Sequence, residues 1–249
     1  METVTRRRTV FDLFVIDADD TLWESALYFE RAEEDFILLT RSLGFDSPSV
    51  RRLVHSRDIE RLALTGYGAR PYLGTLRAVL DELCPRRPSW ADSAFAEISR
   101  ALLEHPVILL PGARQSLEWL RERDLPMIVY TMGEQDHQLS KFSRSGLSDL
   151  VEECVVVERK TPEALADLLS SKGVEPSRSL VIGNSPRSDV NPALKVGASA
   201  ILCSRERLWQ AEKEDILDPG RVHHLETLSD LPSLLSFLEA APDSASRDL

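Results

Sequence analysis

Two aspartates stand two residues apart in the run Asp17-Ala18-Asp19-Asp20-Thr21. In an extended chain that spacing puts both carboxylates on one side, with their Cα atoms roughly 6 to 7 Å apart and room for one phosphoryl group between them. Carboxylates so close repel each other. A hard, oxygen-seeking cation such as Mg²⁺ would relieve the repulsion and neutralise phosphate oxygens as well. Asp189, on a much later loop, is placed to complete the metal's carboxylate set. Asp-x-Asp also caps helices and fills turns, so the pair acquires meaning only from its surroundings.

Those surroundings begin with the apolar, largely β-branched or aromatic run Val10 to Ile16, which reads as a short buried strand ending at Asp17. In an open parallel sheet ligands collect at the carboxyl ends of strands, so the residues ending the other expected strands matter most. The strand Met127 to Thr131 ends in Thr131, Val155 to Val157 is followed by Lys160, and Ser179 to Gly183 runs into Asn184-Ser185. Of the lysines Lys141, Lys160, Lys172, Lys195 and Lys213, only Lys160 falls between a strand and a helix start. Thr161 caps that helix and Pro162 opens it, which fixes the lysine at its N-terminal end.

Helical patterns over Ala113 to Arg123, Gln135 to Ser145, Pro162 to Ser171 and Asn191 to Val196 alternate with these strands and with Ala200 to Cys203. That alternation implies a parallel sheet covered on both faces. From Leu22 to His105 the chain instead shows successive helical stretches, Ala26 to Leu43, Ser49 to Leu64, Thr75 to Leu83 and Ser89 to Leu103, punctuated at Gly66-Tyr67-Gly68 and Pro85 to Pro88. Trp23 belongs either on a flap enclosing a ligand or in the core. A last strand over Val222 to Leu225 and a helix over Leu231 to Leu238 close the core. The expected architecture is α/β: a Rossmann-like three-layer core with a central parallel sheet over residues 9–21 and 107–240, an inserted all-helical cap domain over 22–106, and a flexible tail over 241–249.

At 249 residues, with 43% hydrophobic and 29% charged residues, the chain can bury a sizeable core. Its net charge of -11 disfavours nucleic acid and anionic membrane surfaces as partners, and Arg6-Arg7-Arg8 reads as a solvated extension. Val10 to Ile16 is short and contains Asp12, unlike a secretion signal, and no run approaches a membrane span. The 3 cysteines, Cys84, Cys154 and Cys203, show no Cys-x-x-Cys spacing, which fits a reducing cytoplasm. A monomer or homodimer is expected.

Taken together, the strand leading into Asp17-Ala18-Asp19-Asp20-Thr21 resembles the first motif of the haloacid dehalogenase superfamily. Thr131 after Met127-Ile128-Val129-Tyr130 resembles the second, Lys160 the third, and Gly183-Asn184-Ser185-Pro186-Arg187-Ser188-Asp189 the fourth. The insertion between the first two motifs matches the family's cap. The resemblance implies a Mg²⁺-dependent phosphatase acting on a small phosphorylated metabolite. Asp17 would attack to give an aspartyl-phosphate, and Asp19 would serve as general acid and then general base. The Thr131 hydroxyl, the Met132 N–H and Lys160 would hold the phosphate. Asp17, Asp19 (through its backbone carbonyl) and Asp189 would hold the metal, with Asn184 in support where relatives often carry an acid. Gly66-Tyr67-Gly68-Ala69-Arg70 is the expected cap loop, with Tyr67 or Arg70 contacting substrate. A phosphomutase shares the first motif, and a non-catalytic phosphate- or Mg²⁺-binding regulatory protein is the alternative from another class. A dehalogenase would need neither Asp19 nor a metal, and a phosphonatase would need a cap lysine that Leu22 to His105 lacks.

Overall fold

The structure, a computed structural model, describes residues 10–205, 207–209 and 212–240. Arg6-Arg7-Arg8, the start of the core segment at residue 9 and the expected tail lie outside the described residues. Six strands, β1 (Leu13–Ile16), β2 (Met127–Met132), β3 (Cys154–Val157), β4 (Ser179–Gly183), β5 (Ser199–Cys203) and β6 (Val222–Leu225), form one sheet in the order β3-β2-β1-β4-β5-β6. Every neighbouring pair is parallel.

Side chains in a strand alternate between faces, and the sequence exploits this on every inner strand. Phe14, Ile16, Met127, Val129, Leu180, Ile182 and Ile201 enter one apolar cluster with Ala113, Leu117 and Leu120 of α5 (Ala113–Arg121) and Leu231 and Leu235 of α9 (Leu231–Ala240). Leu13, Val15, Ile128, Tyr130, Val181 and Ala200 enter the opposite cluster with Leu165, Leu168 and Leu169 of α7 (Pro162–Ser171) and Ala193 and Leu194 of α8 (Asn191–Val196). At roughly 1.5–3 kcal/mol per fully buried large aliphatic side chain, these two layers account for the sheet's position. A further helix, α6 (Gln135–Ser145), packs beside β3.

Helices α1 (Ala26–Ser42), α2 (Ser47–Thr65), α3 (Ala69–Leu83) and α4 (Ser89–Leu103) build a third cluster, from Tyr28 to Leu102, entirely from their own residues. α3 starts at Ala69 rather than near Thr75, because Pro71 falls in its first turn, where the missing N–H has no intrahelical partner to lose. Among the described residues no helix is long and apolar enough to cross a membrane. The chain lays down β1, then β2 and β3 on one side, and returns to place β4 on the other. The carboxyl end of β1 is therefore where strand order reverses, the crevice in which such sheets bind ligands.

Candidate active site

Asp17 directly follows β1, and its N–H donates to the Ile182 carbonyl at 2.8 Å, so its backbone is held as an extension of the sheet. Its carboxylate Oδ1 accepts a hydrogen bond from Lys160 Nζ, which also donates to Asp189 Oδ1 at 2.7 Å. Lys160 reaches them from the β3–α7 junction, where the Thr161 side chain accepts from the Ala164 N–H at 3.2 Å and caps α7. Asp189 sits in a π-helical turn, Pro186–Val190, and its Oδ2 accepts from the Ser185 N–H at 2.9 Å. A Cβ on Gly183 would come within 2.2 Å of the Asp189 carboxylate, so this strand end tolerates only glycine.

All three charges are buried, and two acids share one ammonium. Burial pushes the Asp17 carboxyl up to about 7, with the Asp189 charge adding to it and Lys160 opposing. Burial alone would lower the Lys160 pKa, but attraction to Asp17 and Asp189 outweighs it and raises it. The trio thus carries an excess negative charge in a medium that penalises it.

Asp19 is held differently. Lys141 Nζ lies 2.6 and 2.7 Å from its two oxygens, Trp23 Nε1 donates at 2.7 Å and Gln138 Nε2 at 2.9 Å. Although desolvation of the half-buried Asp19 raises its pKa, Lys141 foremost and then Gln138 and Trp23 lower it to about 2. In this arrangement the ion pair with Lys141 favours the ionised form of Asp19. Its side chain also bonds Gln138 and Lys141 of α6, and it lines the same cavity as Asp17. Asp20, in turn, takes a positive φ of 61° and receives the N–H groups of Ser25 and Ala26, each at 2.9 Å, anchoring the start of α1.

Thr131, Met132, Asn184 and Tyr67 line one cavity of about 450 Å³ together with Asp17, Asp19, Lys160 and Asp189. Arg70 is not among its lining residues. Its guanidinium pairs with Glu134 at 2.7 Å and Asp136 at 2.9 Å, and its N–H donates to Glu134 at 2.9 Å. In this structure Arg70 fastens the helical unit to the residues that follow β2. Gly68 is needed there, since its φ is +135° and a Cβ would meet Glu134 at 2.7 Å.

Reading the sequence missed Lys141, Gln138 and Glu134. The available signal is helical spacing: positions 134, 138 and 141 fall on one face at the start of α6, and that helix buries His137, Gln138, Lys141 and Ser145, a polar stripe where an apolar one is normal.

Asp17 Oδ2 is buried without a hydrogen-bond partner. That orphan oxygen, the excess negative charge and the oxygen-only character of Asp17, Asp189 and Asn184 fit a hard divalent cation. Among the described residues no three of His, Cys, Asp and Glu form a metal-holding group. A cation would rest on Asp17 and Asp189 and keep several waters, as Mg²⁺ commonly does.

The model of one family, the haloacid dehalogenase-like hydrolases, matches residues 11–197. A haloacid dehalogenase-like family hydrolase from Xanthomonas campestris is 30% identical, with a TM-score of 0.78 over 94% of this chain and 98% of that one. L-2-haloacid dehalogenase from Xanthobacter autotrophicus shares the fold at 18% identity and a TM-score of 0.62, over 91% and 98% of the two chains. A phosphatase of the superfamily from Thermococcus onnurineus does so at 20% and 0.60, over 90% and 98%. No curated protein matches the chain.

Proposed function

The chain belongs to the haloacid dehalogenase-like hydrolases, and from that premise we propose that it is a Mg²⁺-dependent phosphatase of a small phosphorylated molecule. The observation that carries this reading is the buried trio of Asp17, Lys160 and Asp189, with Asp17 Oδ2 unpartnered and the three side chains lining a cavity shared with Thr131. Such a site attracts a divalent cation and, once the cation is there, a phosphate dianion. Bound Mg²⁺ would neutralise phosphate oxygens. Lys160, the Thr131 hydroxyl and the Met132 N–H would orient the phosphoryl group for in-line attack by Asp17, giving an aspartyl-phosphate.

Asp19, held ionised, is ready to take a proton from the water that hydrolyses that intermediate. To protonate a leaving group first, it must turn away from Lys141 and take up a proton from solvent. An arriving phosphate dianion would compete for Lys141, which lines the same cavity, and so release Asp19. The test is phosphate release from p-nitrophenyl phosphate with Mg²⁺ and with EDTA. Metal-dependent turnover is expected, and its absence at any Mg²⁺ concentration would sink the proposal. The ion pair of Asp19 with Lys141 favours a second reading, displacement at carbon with no proton donor, as in a dehalogenase. Halide release from 2-haloalkanoates would decide for it.

Because Arg70 joins the helical unit to Glu134 and Asp136, just after β2, Arg70→Ala should loosen closure over substrate. Exposed ion pairs are worth up to about 1 kcal/mol, so KM should rise about 2- to 5-fold with kcat little altered. An unchanged KM would show that the contact plays no part in closure.

A further inference from the structure

Most acids around the cavity have a cationic partner: Lys160 serves Asp17 and Asp189, Lys141 serves Asp19, and Arg51 serves Glu33. Asp20, Asp58 and Glu212 line the same cavity with no lysine or arginine ion pair among the described residues, and of the three only Glu212, at 7% exposed, is fully buried. Its Oε2 accepts from the Ser185 hydroxyl at 2.6 Å and from the Ser188 hydroxyl, while its Oε1 is buried with no hydrogen-bond partner.

The position of this spare oxygen is informative. Ser185 also donates its N–H to Asp189, so Glu212 stands one residue away from the proposed metal carboxylates. On its other side is the cap loop: Tyr67 meets Trp209 edge to face, with ring centroids 5.7 Å apart, and burial, then the Glu212 charge and a hydrogen bond to Glu212, raise the Tyr67 hydroxyl pKa against the charges of Arg187 and Arg159. Glu212 therefore lies between the phosphate end and the cap loop, where a leaving group has to sit. Gln138, only 4% exposed, also leaves its Oε1 without a partner beside the cavity. A buried carboxylate without a cation is costly, and the cost is relieved when a ligand brings a charged donor.

We infer that the substrate is a phosphomonoester of a small amine-bearing alcohol, whose ammonium group is received by Glu212 Oε1. The inference rests on the phosphatase reading and names its substrate class. Three esters of similar length test it in the presence of Mg²⁺: phosphoethanolamine, ethylene glycol monophosphate and 2-phosphoglycolate, with p-nitrophenyl phosphate as reference. A charged hydrogen bond in a buried site predicts kcat/KM for the ammonium ester about 10- to 100-fold above the neutral one, with the anionic ester lowest. In Glu212→Gln that ratio should collapse toward one. If this variant does not fold, as judged by circular dichroism, the three-ester ratio in the unsubstituted protein decides alone. Equal use of ammonium and neutral esters by a protein that hydrolyses p-nitrophenyl phosphate overturns the inference and leaves the phosphatase reading standing. A preference that survives intact in folded Glu212→Gln overturns the role of Glu212. No phosphate from any ester overturns both readings.

Discussion

Asp17→Asn is expected to cut phosphate release by about 10⁴-fold or more while the protein stays folded. Asparagine matches aspartate in size, so the cavity keeps its shape and only the attacking charge disappears. Thermal stability should hold or rise. Asp17 is one of two buried acids sharing Lys160, and burial already holds its carboxyl up at about 7. Removing that charge leaves Lys160 with Asp189 alone, a balanced pair. Turnover and a melting curve on the same sample separate lost chemistry from lost structure, and residual activity near that of the parent would rule Asp17 out as the nucleophile.

Lys160→Met should do the opposite to stability. It leaves Asp17 and Asp189 buried with no ammonium between them, and breaking a buried pair by removing one partner costs about 3–5 kcal/mol. For a chain of this size that corresponds to a Tm lower by roughly 6–20 °C. Mg²⁺ should restore part of the loss, because a cation can take the vacated place between the acids. Activity should fall by about 10²- to 10³-fold, the usual effect of losing one donor to transition-state charge. Melts with and without Mg²⁺ check this. A Tm unchanged to within about 2 °C would mean that the three charges are not coupled in solution.

The parts of this molecule most legible in its sequence are those whose signal is local. Val15 and Ile16 announce a buried strand by their own side chains, and Thr161-Pro162 announces a helix start, so Asp17 and Lys160 are placed by their immediate neighbours. Asp189 is legible because Gly183 admits it against the strand end. Lys141 is not legible in this way. A lysine inside a helix normally faces water, and the aspartate that turns it inward lies 122 positions earlier. Arg70 shows the same difficulty: an arginine beside a glycine-flanked loop reads as a ligand contact, and only the folded chain brings Glu134 and Asp136 to it. Glu212 is hidden for a related reason, since the loop after β5 carries no periodicity that would turn one acid inward.

The lysine that balances the two central acids hangs from β3, which pairs only with β2 at the margin of the sheet and whose four residues are all partly exposed. Edge strands open more readily than inner ones, through local fluctuations that leave the rest of the molecule intact. Warming should therefore silence this protein in two stages, first reversibly as the margin frays and the ammonium drifts from its acids, and only later as the interior strands melt.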